Sequence, residues 1–224
     1  MRLRDFRDLI ANMPVEAQAF TAKRANWESH IARQGRAGSA LAAIFGQSEK
    51  VTISRRDLRN YAARPDLEQF AMGTILWGYP SGMRGNNVLR IAESFADLTA
   101  HLENTLREHS VDDWRTHYRP VGALSGIALS TYTKFLAFLS IEIHSLPALI
   151  LDDRIIRIIG DRLFEELEVL GNKRRNNSHD WYPEYLSCIS QLASSFDVSS
   201  ESIELFLFEF GLNLKQPDTK VATQ

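Results

Sequence analysis

The chain lacks the features that mark several protein classes. It holds one cysteine, Cys188, in 224 residues, so no internal disulfide, four-cysteine zinc site or iron–sulfur cluster can be built from it. That usage fits a reducing compartment, and the expected location is the cytoplasm. The longest apolar runs, around Phe135–Ile143 and Leu146–Leu151, fall far short of the ~20 residues needed to span a bilayer. The opening Met1-Arg2-Leu3-Arg4-Asp5-Phe6 reads as an amphipathic helix rather than a secretory leader. Six histidines are scattered as His30, His101, His109, His117, His144 and His179, none in a zinc-ligand spacing. There is no internal repeat or low-complexity tract, and no convincing strand alternation. Val51-Thr52-Ile53 is the best strand candidate and is too short to found a sheet. Neither sign of charge is in excess: a formal net charge of −2 argues against a protein that coats nucleic acid without regard to sequence. A site-specific DNA enzyme needs only a local basic face. No metal, cofactor, membrane or obligate protein partner is expected.

What is present is an ordinary globular composition, 44% hydrophobic and 24% charged, with length for one large domain or two small lobes. The periodicity predicts about ten helices and an all-α class. Arg2–Ala11 reads as a helix, and Pro14 opens a longer one to about Arg36 that Gly35 and Gly38 break. Ser54-Arg55-Arg56-Asp57 has capping-box spacing and starts a helix to about Ala63. Pro65 begins another, running into the loop Trp77-Gly78-Tyr79-Pro80-Ser81-Gly82-Met83-Arg84-Gly85-Asn86-Asn87. Here glycines allow close backbone approach. Trp77 and Tyr79 offer rings, and Arg84 and Asn86 offer donors, for a nucleic-acid base. A plain structural loop, with its aromatics in the core, is an equal reading.

Asn87–His109 reads as one or two helices, and Gly122–Ala128 as a small-residue helix. Ile155, Ile156, Ile158, Ile159, Leu163, Phe164 and Leu167 mark an apolar helical face that Gly171 ends. A basic, polar loop follows, with Lys173, Arg174 and Arg175, and then two helices at roughly Asp180–Phe196 and Ser200–Phe210. The unit is expected to span residues 1–215, with a frayed tail from Gln216.

The stretch Leu129–Ile159 organises the rest. It reads as two helices joined by a short turn, with Lys134 in the first turn of one and Asp152 and Asp153 opening the other, 18 positions later. Ser130 and Thr131 supply hydroxyls suited to an N-cap. The helix dipole and burial against Phe135 and Phe138 both favour a free amine at Lys134, which could attack a sugar C1′ and form a Schiff base. Asp152 is the natural N-cap of the second helix, where backbone donors keep a carboxylate ionised near a developing sugar cation. Asp153 lies in the same turn, and spacing does not choose between the two. A surface lysine and a purely structural cap are the plain alternatives.

These residues resemble the helix-hairpin-helix DNA glycosylases. Their lysine stands similarly upstream of an aspartate that opens a helix in an L-D-x or V-D-x motif. The patterns W-G-Y-P-x-G-x-R-G, S-T-Y-T-K-F-L and A-L-I-L-D-D-R are similar to the small bacterial, oxoguanine-glycosylase-like branch, over about Thr74–Ile159, with Glu201–Phe208 as weaker support. The resemblance implies two helical lobes with an active-site cleft between them, and DNA carrying a damaged or modified base as partner. It implies N-glycosidic cleavage by base eversion, with or without a lysine-dependent lyase step, in base-excision repair or phage defence. Lys134 would match the nucleophile and Asp152 the stabilising aspartate. Trp77, Tyr79, Arg84 and Asn86 would line the base pocket. The superfamily hairpin reads L-P-G-x-G-x-K, whereas this chain has Leu129-Ser130-Thr131-Tyr132-Thr133-Lys134. Ser130, Thr131 and Thr133 hydroxyls would then replace glycine amides at phosphate, beside Arg154, Arg157, Lys173, Arg174 and Arg175. The competing expectation is a non-catalytic helical DNA- or protein-binding module of the same fold.

Overall fold

The computed structural model describes residues 1–83, 87–124, 126–171, 173 and 175–214; the expected tail from Gln216 lies outside them. The chain divides into two compact units, one of Met1–Pro14 with the segment from Leu151 onward, the other of Val15–Ile150. The structure is 66% helical with two small sheets, a mostly all-α architecture. Among the described residues no helix is long and apolar enough to cross a membrane. Nor is any group of three or more His, Cys, Asp or Glu placed to hold a metal ion.

The unit formed from both chain ends opens with α1 (Arg7–Ala11). The middle unit holds β1 (Ala19–Lys23), α2 (Glu28–Ile31), α3 (Gly35–Phe45), β2 (Lys50–Ser54), α4 (Arg55–Ala62) and α5 (Glu68–Gly78). It continues with α6 (Asn87–Glu93), α7 (Phe95–Glu108), β3 (Ser110–Val111), α8 (Trp114–Tyr118), α9 (Leu129–Phe138), β4 (Glu142–Ile143) and β5 (Leu146–Pro147). The end unit is completed by α10 (Asp153–Gly160), α11 (Ser178–Phe196) and α12 (Ser200–Phe210).

In the middle unit α5 is the central rod. Every residue from Phe70 to Trp77 is buried, as expected of a helix apolar on all sides. It packs against α3, α4, α9 and the β1–β2 pair. The α4 helix begins at the expected capping box: the Asp57 amide donates to Ser54 Oγ at 3.1 Å, and the Ser54 amide donates to Asp57 Oδ2 at 2.9 Å. In the end unit α10 is amphipathic, burying Ile155, Ile156, Ile158 and Ile159 while Asp153, Arg154 and Arg157 face solvent.

Several expectations are corrected. The helix expected after Pro14 is instead β1, pairing antiparallel with β2 in the register Phe20↔Ile53 and Ala22↔Val51. Ala22 and Ile53 point inward, and the Thr21 and Thr52 hydroxyls meet outside at 2.8 Å. Gly38 does not break a helix but lies inside α3. A Cβ there would lie 2.7 Å from the Ala32 carbonyl oxygen and 2.9 Å from that of Ile31, so glycine allows the chain before α3 to close onto it. Among the described residues of Gly122–Ala128, helical structure is confined to a short 3-10 turn over Val121–Ala123. The helix from Asp153 stops at Gly160 rather than Gly171, where Arg162 takes a positive φ of 52°. Lastly, α9 and α10 are joined not by a short turn but by the β4–β5 hairpin, whose turn residues His144 and Ser145 both have positive φ.

Since the atoms facing Gly38 are backbone and cannot swing aside, Gly38→Ala is expected to destabilise the protein by about 1–3 kcal/mol. Urea unfolding followed by circular dichroism measures the shift.

Candidate active site

The two unusual stretches singled out in the sequence meet inside the middle unit. The C-terminal end of α5, Trp77-Gly78-Tyr79, packs against α9, which carries Lys134. Tyr79 and Thr131 share a hydroxyl–hydroxyl hydrogen bond of 2.7 Å. Gly78 faces the lysine stem: a Cβ added there would lie 3.3 Å from Lys134 Cδ and 3.4 Å from its Cε. The Trp77 ring meets Phe138 edge-on at 5.2 Å and Phe20 at 5.0 Å, and the Arg55 guanidinium lies 5.6 Å from its centre.

Lys134 is the sixth residue of α9, and the helix starts at Ala128 without a side-chain cap. The lysine therefore sits in the second turn rather than the first, and Ser130 and Thr131 are helical residues rather than caps. The side chain is 6% exposed. Its amine turns back one turn and donates to the Ser130 carbonyl at 2.7 Å, the i−4 residue on the same helical face. An N–H committed to a carbonyl fixes the orientation of the nitrogen and, once the amine is neutral, of its lone pair.

In the end unit Asp152 is the N-cap of α10, as the sequence predicts. One carboxylate oxygen accepts from the amides of Arg154 at 3.0 Å and Ile155 at 3.2 Å. Asp152 is partly exposed, and Asp153, the first residue of the helix, is exposed.

The remaining expected site residues fall into three groups. Trp77, 2% exposed, spends its ring on the core rather than on an open stacking platform. Thr131 and Thr133, at 1% and 0% exposure, are inside, and Thr133 donates to the Ser130 carbonyl at 3.5 Å. Their expected phosphate contact is replaced by packing, because α9 is buried on nearly every face; only Ser130 is partly exposed. On the end unit Arg154 lies 4.6 Å over the Phe208 ring and donates to the Phe208 carbonyl. There too Lys173 pairs with Glu184 at 2.6 Å and Arg157 is exposed. Arg84, Asn86 and Arg174, and the side chain of Arg175, lie outside the described residues.

Sequence reasoning passed over one cluster, because its members come from three helices. The Tyr132 hydroxyl on α9 bonds His101 Nε2 of α7 at 2.9 Å and His117 Nε2 of α8 at 2.6 Å. One ring accepts the phenolic proton and the other donates to the phenolic oxygen, an arrangement suited to neutral imidazoles. Burial, and then the nearby His101, lower the His117 pKa to about 4. Burial also lowers that of His101, against the pull of Glu108. The two rings border a cavity of about 390 Å³ that Glu108, Asp112 and Asp113 also line.

Residue for residue, this is a mostly helical protein with a buried primary amine in one unit and a helix-capping carboxylate in the other. The chain belongs to the family described as putative 8-oxoguanine DNA glycosylase OGG-like protein, whose model matches residues 13–208. No match was found among curated proteins or among solved structures.

Two outcomes are expected. Asn caps a helix as well as Asp, so Asp152→Asn should keep the stability of the parent. Asp152→Ala should lose about 1 kcal/mol, read by the same unfolding titration. Because the folded-state pKa of His117 lies below its unfolded value, the stability it preserves above pH 6.5 is lost as pH falls from 6.5 toward 4. His117→Gln should flatten that acid loss by about 1 kcal/mol, allowing for the partial exposure of the ring. Unfolding midpoints across that range check it.

Proposed function

We propose that the chain is a DNA N-glycosylase that removes a damaged or modified base, with Lys134 as its amine nucleophile and Asp152 as its charge-stabilising carboxylate. Lys134 carries the reading. Lysine is almost never fully buried unless it is partnered, and a buried titratable group is a functional-site candidate. Here it lies within a buried helix of a chain whose family description names glycosylase chemistry.

The chemistry follows from those two groups. Eversion of the target nucleotide costs a few kcal/mol, roughly, and least for a weakly paired base. As the bond from C1′ to the base nitrogen lengthens, its electron pair leaves with the base and the sugar becomes cationic. An ionised Asp152 lowers the energy of that state. The Lys134 nitrogen then bonds to C1′, and the proton it sheds balances the one the departing base takes up. Opening of the sugar ring gives an imine, from which β-elimination can cut the strand. Without the lysine step, water takes the same position and the product is an abasic site. Asp153 is the alternative carboxylate. Tyr79 with Arg84 and Asn86 would serve the base, and Arg154, Arg157, Lys173, Arg174 and Arg175 the phosphates. Excision in repair and excision from modified phage DNA would draw on the same steps.

The test is mass spectrometry of bases released from plain and naturally modified DNA, with each variant beside the parent. Asp152→Asn is expected to reduce release by roughly 10²–10³-fold while the fold stays intact. Lys134→Ala is expected to abolish borohydride-trapped protein–DNA adducts. DNA binding without release from any substrate would instead make the chain a non-catalytic module.

A further inference from the structure

We infer that the end of α5, through Tyr79 and Gly78, is the positioning element for the Lys134 amine, with Thr131 as the intermediary; this rests on Lys134 being the nucleophile. The first turn of α9 contains the Ser130 carbonyl that holds the amine. The N-cap residue of that turn, Ala128, makes no side-chain cap bond, so the leading amides lack the acceptor that a capping side chain would supply. The Tyr79 hydroxyl ties the turn down from outside, 2.7 Å from the Thr131 hydroxyl, which is 1% exposed. Tyr79 is itself anchored, its amide donating to the Ile75 carbonyl of α5 at 3.0 Å. One residue earlier, Gly78 leaves room for the lysine stem, which a methyl group would press at 3.3–3.4 Å. So α5 fixes both ends of the lysine's reach: the carbonyl that orients the nitrogen and the wall along which the stem runs. Tyr79 then acts on the chemistry through the helix carrying the amine, and not only through contact with a base.

Duplex DNA containing an abasic site separates these roles, since it offers a C1′ aldehyde and no base to touch. The lysine nitrogen adds to that aldehyde, water leaves, and borohydride delivers hydride to the resulting imine, giving a stable secondary amine. With saturating DNA, Tyr79→Phe is expected to slow adduct formation about 10-fold or more, leaving the half-saturating DNA concentration unchanged. Thr131→Val should behave alike, and Thr131→Ser, which keeps the hydroxyl, should restore the parent rate. Gly78→Ala should also be slow, because the stem must shift by a few tenths of an ångström. Rates are compared at equal folded fraction by circular dichroism. If Tyr79→Phe does not fold, the Thr131 pair, differing by one hydroxyl, decides. Parent-like rates in Tyr79→Phe and Thr131→Val, with Lys134→Ala inactive, would overturn the positioning role and leave the nucleophile standing. Absence of any adduct in the parent, or an undiminished one in Lys134→Ala, would remove the nucleophile itself.

Discussion

The contact on which the middle unit depends is the close approach of α5 and α9. Both helices are buried on almost every face, so neither can satisfy polar side chains with water. A polar group there is costly unless it finds a partner within the protein, and most do, the buried Thr74 hydroxyl of α5 being an exception. Lys134 turns to a carbonyl of its own helix, Thr131 to Tyr79, and Tyr132 to two histidines. The result is a polar seam through an apolar layer. Such a seam holds its members in single positions.

The end unit solves a smaller problem with one residue. The helix α10 begins where an extended segment ends, and its leading amides need acceptors. Asp152 supplies them from one carboxylate oxygen, on a side chain partly open to solvent. A capping role and a charge-stabilising role ask for the same thing, an ionised group held still. That is why the residue reads as structural and as functional at once.

Much of this was legible in the chain. The capping box at Ser54, the cap at Asp152 and the helices α11 and α12 follow from local rules, since the groups that satisfy one another are within four residues. That Trp77–Tyr79 and Lys134 stand in unusual stretches was also visible, though not that the two stretches touch. The misreadings share a cause. The segment Ala19–Lys23 has the composition of a helix and becomes a strand only because Lys50–Ser54 lies beside it, a partner that local propensity does not register. Gly38 looks like a helix breaker until the carbonyls of Ala32 and Ile31 are seen against it.

By itself, then, the sequence determined the class, the family motifs and the residue types proposed for glycosidic chemistry, because these depend on composition and short spacing. Tertiary structure alone decided which of those groups is inside and what each one holds. It put Trp77, Thr131 and Thr133 into the core and made Gly78 a wall for the lysine. It also joined His101, His117 and Tyr132 across three helices. The reason is physical: burial and hydrogen-bond partnership belong to pairs of distant segments, and no window along the chain contains both members.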